Sequence, residues 1–171
     1  MFEAFTDHSR RALAWANQEA LRLGGECITD ADVLLGILKD EDSEAAAALR
    51  LLRVDLRQLR RRLDEIERPR FGMPGEQKLP QTQQAKFVIV AAIRIAQELK
   101  HEHVETGHLL LGILDDPHSR ASKCLADAGV TPEAARQAVL DVVQVRPADW
   151  IAPDAKNPYF TEHLHKPNSR K

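Results

Sequence analysis

The sequence predicts an all-α fold of two tandem four-helix repeats related by pseudo-twofold symmetry and packed together as one compact domain. Three observations carry this expectation. The segment Ile28-Thr-Asp-Ala-Asp-Val-Leu-Leu-Gly-Ile-Leu38 recurs as Val104-Glu-Thr-Gly-His-Leu-Leu-Leu-Gly-Ile-Leu114, at an offset of 76. That register extends outward without a gap, pairing Thr6 with Thr82, Ala16 with Ala92, Leu23 with Leu99, Ser43 with Ser119 and Val54 with Val130. Aromatics make up only 5% of the chain while Ala, Leu and Arg abound, which favours helix over sheet.

The elements follow in order. Thr6 and Thr82 are N-cap candidates for the first helix of each copy, because a hydroxyl there accepts from a free first-turn amide. Behind them Leu13, Ala16, Ala20 and Leu23, matched by Ile89, Ala92, Ala96 and Leu99, recur at spacings of three and four and form one buried face. The second helix is expected to be capped by Asp30 or Thr106, with Leu34, Leu35 and Leu38 matched by Leu110, Leu111 and Leu114. Gly36 and Gly112 fall inside these helices, where glycine costs about 1 kcal/mol relative to alanine, so another helix backbone is expected to pass close by. Ser43 and Ser119 cap a third helix that ends near Gly129 in the second copy. Asp55 and Thr131 cap the fourth, with Pro132 at the first helical position, where its missing N–H is harmless.

The predicted organisation is therefore repeat one over 1–66, a linker over 67–81 broken by three prolines and two glycines, repeat two over 82–145, and a tail over 146–171. Four prolines punctuate that tail, and Trp150, Tyr159 and Phe160 within it predict a docked rather than wholly solvated segment.

Composition narrows function. With 24 basic against 26 acidic residues, whole-domain attraction to nucleic acid or an anionic membrane is not expected. Two distant cysteines, Cys27 and Cys124, make no disulfide framework, and the N-terminus lacks the apolar core of a signal peptide; a cytoplasmic setting is the expectation. The longest uncharged apolar stretch, Phe87 to Ile93, is far short of the roughly 20 residues that span a bilayer. No G-x-x-x-x-G-K-[ST] phosphate loop occurs, so P-loop ATP hydrolysis is not expected, nor is any cofactor.

Phe5-Thr6, Ser9, Ala12-Leu13, Ala16, Glu19-Ala20, Leu23-Gly24 and Val33-Leu34-Leu35-Gly36-Ile37 follow one pattern in copy one. Thr82, Ala85, Val88-Ile89, Ala92, Thr106, His108 and Leu109-Leu110-Leu111-Gly112-Ile113 follow it in copy two. The pattern resembles the double Clp-N repeat at the front of Clp/Hsp100 AAA+ unfoldases, closest to the ClpC type, over roughly residues 1 to 145. The resemblance implies a non-catalytic module that receives substrate polypeptides or adaptors for an ATP-driven unfoldase, here as a free-standing relative of that domain acting as adaptor, receptor or decoy. It also implies a partner groove where the first helices of the two copies meet, in which Met1, Phe2 and Lys86 keep the family's residue types and Gln81 stands where an aromatic is usual. In the ClpC branch a Glu in each G-T-E-H motif is associated with phosphorylated arginine. Ala31 and Gly107 occupy those positions here, with Asp30, Asp32 and Glu105 nearby; Asp32 and His108 join the groove residues as binding candidates.

Other chemistry has bland competitors. His101, His103 and His108, with Glu102 and Glu105, invite a metal site and a small metal-dependent enzyme, although no His pair at i, i+4 on one helix face results. A helix-start hydrogen bond accounts for His108, and no metal is assigned. Neither cysteine lies in a motif that supplies a base. The Arg-rich run from Arg57 to Arg70 is expected to be a solvated helix face, with Arg60–Asp64 and Arg61–Glu65 paired four apart. A third reading is a regulatory domain for a non-Clp partner, docking through the tail aromatics.

Overall fold

The computed structural model describes residues 4–67 and 78–145, and among them are eight helices and no extended strand. Copy one comprises α1 (Asp7–Arg22), α2 (Asp30–Leu38), α3 (Glu44–Leu51) and α4 (Leu56–Ile66). Copy two repeats the series as α5 (Gln83–Glu98), α6 (Thr106–Leu114), α7 (Arg120–Asp127) and α8 (Pro132–Val145).

Most expected caps form. Thr6, Ser43, Thr82 and Ser119 each accept from the amide three residues on, Asp55 accepts from Arg57 and Gln58, and Thr131 accepts from Ala134. For the second helix of each copy the expected cap is wrong by one residue. Thr29 caps α2 and Glu105 stands at the N-cap of α6, leaving Asp30 and Thr106 as first helical residues.

The reason lies across the repeat boundary. Asp30 Oδ2 accepts from the Ala121 amide at 2.8 Å at the start of α7, and Thr106 Oγ1 accepts from the Ala45 amide at 3.1 Å at the start of α3. Each copy thus supplies a cap to a helix of the other. The twofold relation recurs in two isolated bridges, Phe5 with Val104 and Ile28 with Gln81, made by Thr6 N–H to Val104 O at 3.1 Å and Thr82 N–H to Ile28 O at 2.9 Å.

Packing interleaves the copies. α2 and α6 touch each other at the centre, α1 lies on α2 and α5 on α6, α3 packs on α8, and α4 on α7. The core is one cluster spanning both copies, with Phe5, Leu34, Leu35, Ile37, Leu49, Leu59, Leu63, Leu109, Leu110, Ile113 and Leu125 fully buried. Each such side chain contributes about 1.5–3 kcal/mol.

The mid-helix glycines are explained by proximity. A Cβ on Gly36 would overlap the Ala12 carbonyl oxygen and lie 2.8 Å from the Ala16 nitrogen. On Gly112 it would lie 2.6 Å from the Val88 oxygen and 3.2 Å from the Ala92 nitrogen. Helices α1 and α5 therefore ride directly on glycine backbone. Left-handed residues end the first and third helices of each copy: Gly24 (φ 67°) and Gly129 (φ 85°) have Lys100 (φ 57°) and Arg53 (φ 59°) as their repeat counterparts.

Candidate polypeptide-binding site

The binding candidates separate into interior and surface groups. Asp32 is 0% exposed: its Oδ2 accepts from the Thr29 amide at 2.8 Å and the Thr29 hydroxyl at 2.9 Å, completing a capping box. His108, also 0% exposed, fills the same place in copy two. Its Nδ1 accepts from the Glu105 amide at 2.8 Å, so its Nε2 carries the proton and donates to His101 Nδ1, 2.8 Å away. Burial, and secondarily His101, pushes the His108 pKa down to about 4. Both side chains are thus buried and committed to helix starts. The Thr-x-x-Asp spacing of Thr29 and Asp32 is the sequence signal that announces the box.

The neighbouring carboxylates Asp30, buried, and Glu105, half-buried, are likewise engaged within the fold. Ala31 is 0% exposed and Gly107 is buried; Asp30 caps α7, and Glu105 accepts from the Thr6 hydroxyl at 3.0 Å. Among the described residues no three His, Cys, Asp or Glu side chains converge to hold a metal ion. Cys27 lies half-buried in a loop, and Cys124 is buried on α7, where burial pushes its thiol pKa up and its nucleophilicity down.

The basic run on α4 pairs differently from expectation. Arg60 donates to Glu19 at 2.9 Å and Arg22 bridges Glu19 and Asp64, at 2.7 and 2.5 Å. Burial alone raises the Glu19 carboxyl, but Arg22 and Arg60 outweigh it and hold the group below the usual range. A nearly buried carboxylate on α1 thus captures Arg60 in preference to Asp64 on its own helix.

On the surface, Gln81 is half-buried in its bridge with Ile28, and Lys86 is exposed one turn into α5. Met1 and Phe2 lie outside the described residues, as do most of the linker and all of Trp150, Tyr159 and Phe160. Beside Lys86 the structure adds residues that the sequence reading did not single out. Phe87 is 43% and Val90 60% exposed, and with Gln83, Gln84, Lys86 and Asp116 they line an open depression of about 440 Å³. The copies themselves held the signal, since Phe87 stands opposite Arg11 and Val90 opposite Ala14.

No helix among the described residues is long and apolar enough to cross a membrane. Two interleaved helical repeats with polar interior residues committed to caps, and an apolar depression outside, define a duplicated all-helical domain. A model of the Clp repeat (R) N-terminal domain matches residues 4–78 and again 80–167, and the chain belongs to that family. The negative regulator of genetic competence ClpC/MecB of Bacillus subtilis is 33% identical over 143 residues, 84% of this chain and 17% of that protein. The chain thus spans about a sixth of the length of the curated relatives it matches. Among solved structures, the Hsp104 N-terminal domain of Candida albicans superposes with a TM-score of 0.70 at 17% identity, covering 84% of this chain and 94% of that one. A ClpV N-domain in complex with a VipB peptide gives 0.64 at 14% identity, covering 82% and 88%. These likenesses establish the fold.

Proposed function

We propose that this chain is a non-catalytic protein-binding module of Clp-dependent protein quality control, acting in the cytoplasm as adaptor, substrate receptor or decoy for a Clp unfoldase. The observation that carries the reading is the exposed apolar surface of Phe87 and Val90 beside Lys86, on a helix that is otherwise well packed. Solvent-facing aromatic and aliphatic side chains grouped around a pocket are the features of a polypeptide interface. Family membership supports the reading, as does a Clp-type N-domain of the same fold that holds a peptide. The evenly balanced charge favours polypeptides over nucleic acid or anionic membranes.

Recognition would use the surface from Gln81 to Val90 together with Met1 and Phe2, with no bond made or broken. Substituting Phe2→Ala together with Lys86→Ala should weaken capture of a Clp ATPase or its clients from native extract while leaving the thermal midpoint in place. Unchanged capture by that variant would overturn this assignment of the groove.

A further inference from the structure

Duplication gives every surface position an internal counterpart, and at the start of α5 the two copies differ in kind. In copy one, Asp40 is 8% exposed, lies 2.5 Å from His8 Nδ1 and accepts from Arg11 at 3.3 Å, while Arg10 pairs with Asp7. The Arg11 guanidinium also sits over the Trp15 ring, 5.7 Å from its centroid. Copy one therefore closes this corner with its own arginine, held between a carboxylate and an aromatic face.

In copy two the counterparts of Asp7, His8, Arg10, Arg11 and Asp40 are Gln83, Gln84, Lys86, Phe87 and Asp116. Two charges survive, on Lys86 and Asp116, and among the described residues neither has an ion-pair partner. Phe87 stands at the Arg11 position, so copy two has no guanidinium of its own at this corner; instead Phe87 and Asp116 both line the open depression of about 440 Å³.

We infer that this depression receives an arginine side chain of a partner polypeptide, presented beside an aliphatic residue. Its guanidinium pairs with Asp116 and lies on the Phe87 ring, the aliphatic neighbour covers Val90, and a partner carboxylate faces Lys86. Guanidinium suits the place because it forks onto a carboxylate while its plane stacks on an aromatic ring, whereas an ammonium meets the carboxylate only as a point charge and has no plane to stack. The Arg11–Asp40 pair is the precedent within the chain: in copy one a guanidinium meets the carboxylate that corresponds to Asp116. This inference rests on the protein-binding reading and specifies the chemistry of the partner.

The test uses the full chain and a fluorescent peptide, acetyl-Leu-Arg-Leu-Ala-Glu-amide, against the same peptide with norleucine for arginine. Anisotropy should show the arginine peptide binding about tenfold more tightly. Phe87→Arg with Val90→Ala grafts copy one's residues onto α5 and should abolish binding by filling the depression with the chain's own guanidinium. Asp116→Asn should remove the preference for arginine. Equal affinity for both peptides, or undiminished binding by the graft, would overturn the inference; binding seen only after removal of 146–171 would make the chain's own tail the occupant and overturn it too. If the peptides fail while capture from extract still depends on Phe2 and Lys86, the arginine pocket falls and the broader reading stands; if capture also ignores those residues, both fall.

Discussion

Gly36→Ala tests the packing that places the site. The added methyl would overlap the Ala12 carbonyl oxygen and lie 2.8 Å from the Ala16 nitrogen, and both are backbone atoms of α1 with no rotamer to change. Relief requires α2 to move off α1 by roughly 1 Å, which forfeits part of the close contact along Ala12, Ala16 and Ala20, each 0% exposed. Overpacking of this kind costs about 3 kcal/mol, offset by about 1 kcal/mol of improved helix propensity, leaving a net loss of about 2 kcal/mol. For Gly112→Ala the nearest atoms are at 2.6 and 3.2 Å, and a net loss of about 1 kcal/mol is expected. Urea unfolding followed by circular dichroism should show midpoints in the order wild type, Gly112→Ala, Gly36→Ala, with unchanged slopes. A Gly36→Ala variant at least as stable as wild type would refute the argument that backbone contact dictates glycine here.

Three further outcomes follow from the caps and turns. His108 has a folded pKa of about 4 against 6.5 unfolded, so its contribution is complete above pH 6.5 and falls by about 3 kcal/mol as pH drops to 4; urea midpoints across that range should show the decline, and His108→Gln should flatten it, whereas parallel profiles would contradict the assignment. Asp30→Ala and Thr106→Ala each strand a helix-start amide of the opposite copy and should cost about 1–2 kcal/mol by urea titration, although neither residue caps its own helix. Arg53→Gly and Lys100→Gly relieve left-handed backbone and should raise stability by about 0.5–1 kcal/mol; a lowered thermal midpoint would contradict this.

The helices and most caps were legible because they depend on local spacing and on a repeat whose register never slips. Part of what escaped was set across the repeat boundary. Asp30 and Thr106 look like caps in sequence because they are caps, but for helices 91 and 61 residues away along the chain. Arg60 obeys a nearly buried Glu19 rather than Asp64 one turn along, since a buried carboxylate without partners costs more than an exposed pair returns. Asp32 and His108 have the residue types of a binding site, yet their spacing from Thr29 and Glu105 makes them interior braces. Phe87 and Val90 merge with the apolar run of α5, and only the fold decides which of its residues face water.

Amide hydrogen exchange on the full chain, alone and with a co-purified polypeptide bound, tests the proposed role most directly. The account predicts slowed exchange from the Gln81 bridge through the first half of α5, with the α3–α8 packing unchanged. Unaltered exchange at α5, with protection confined to another face, would contradict it.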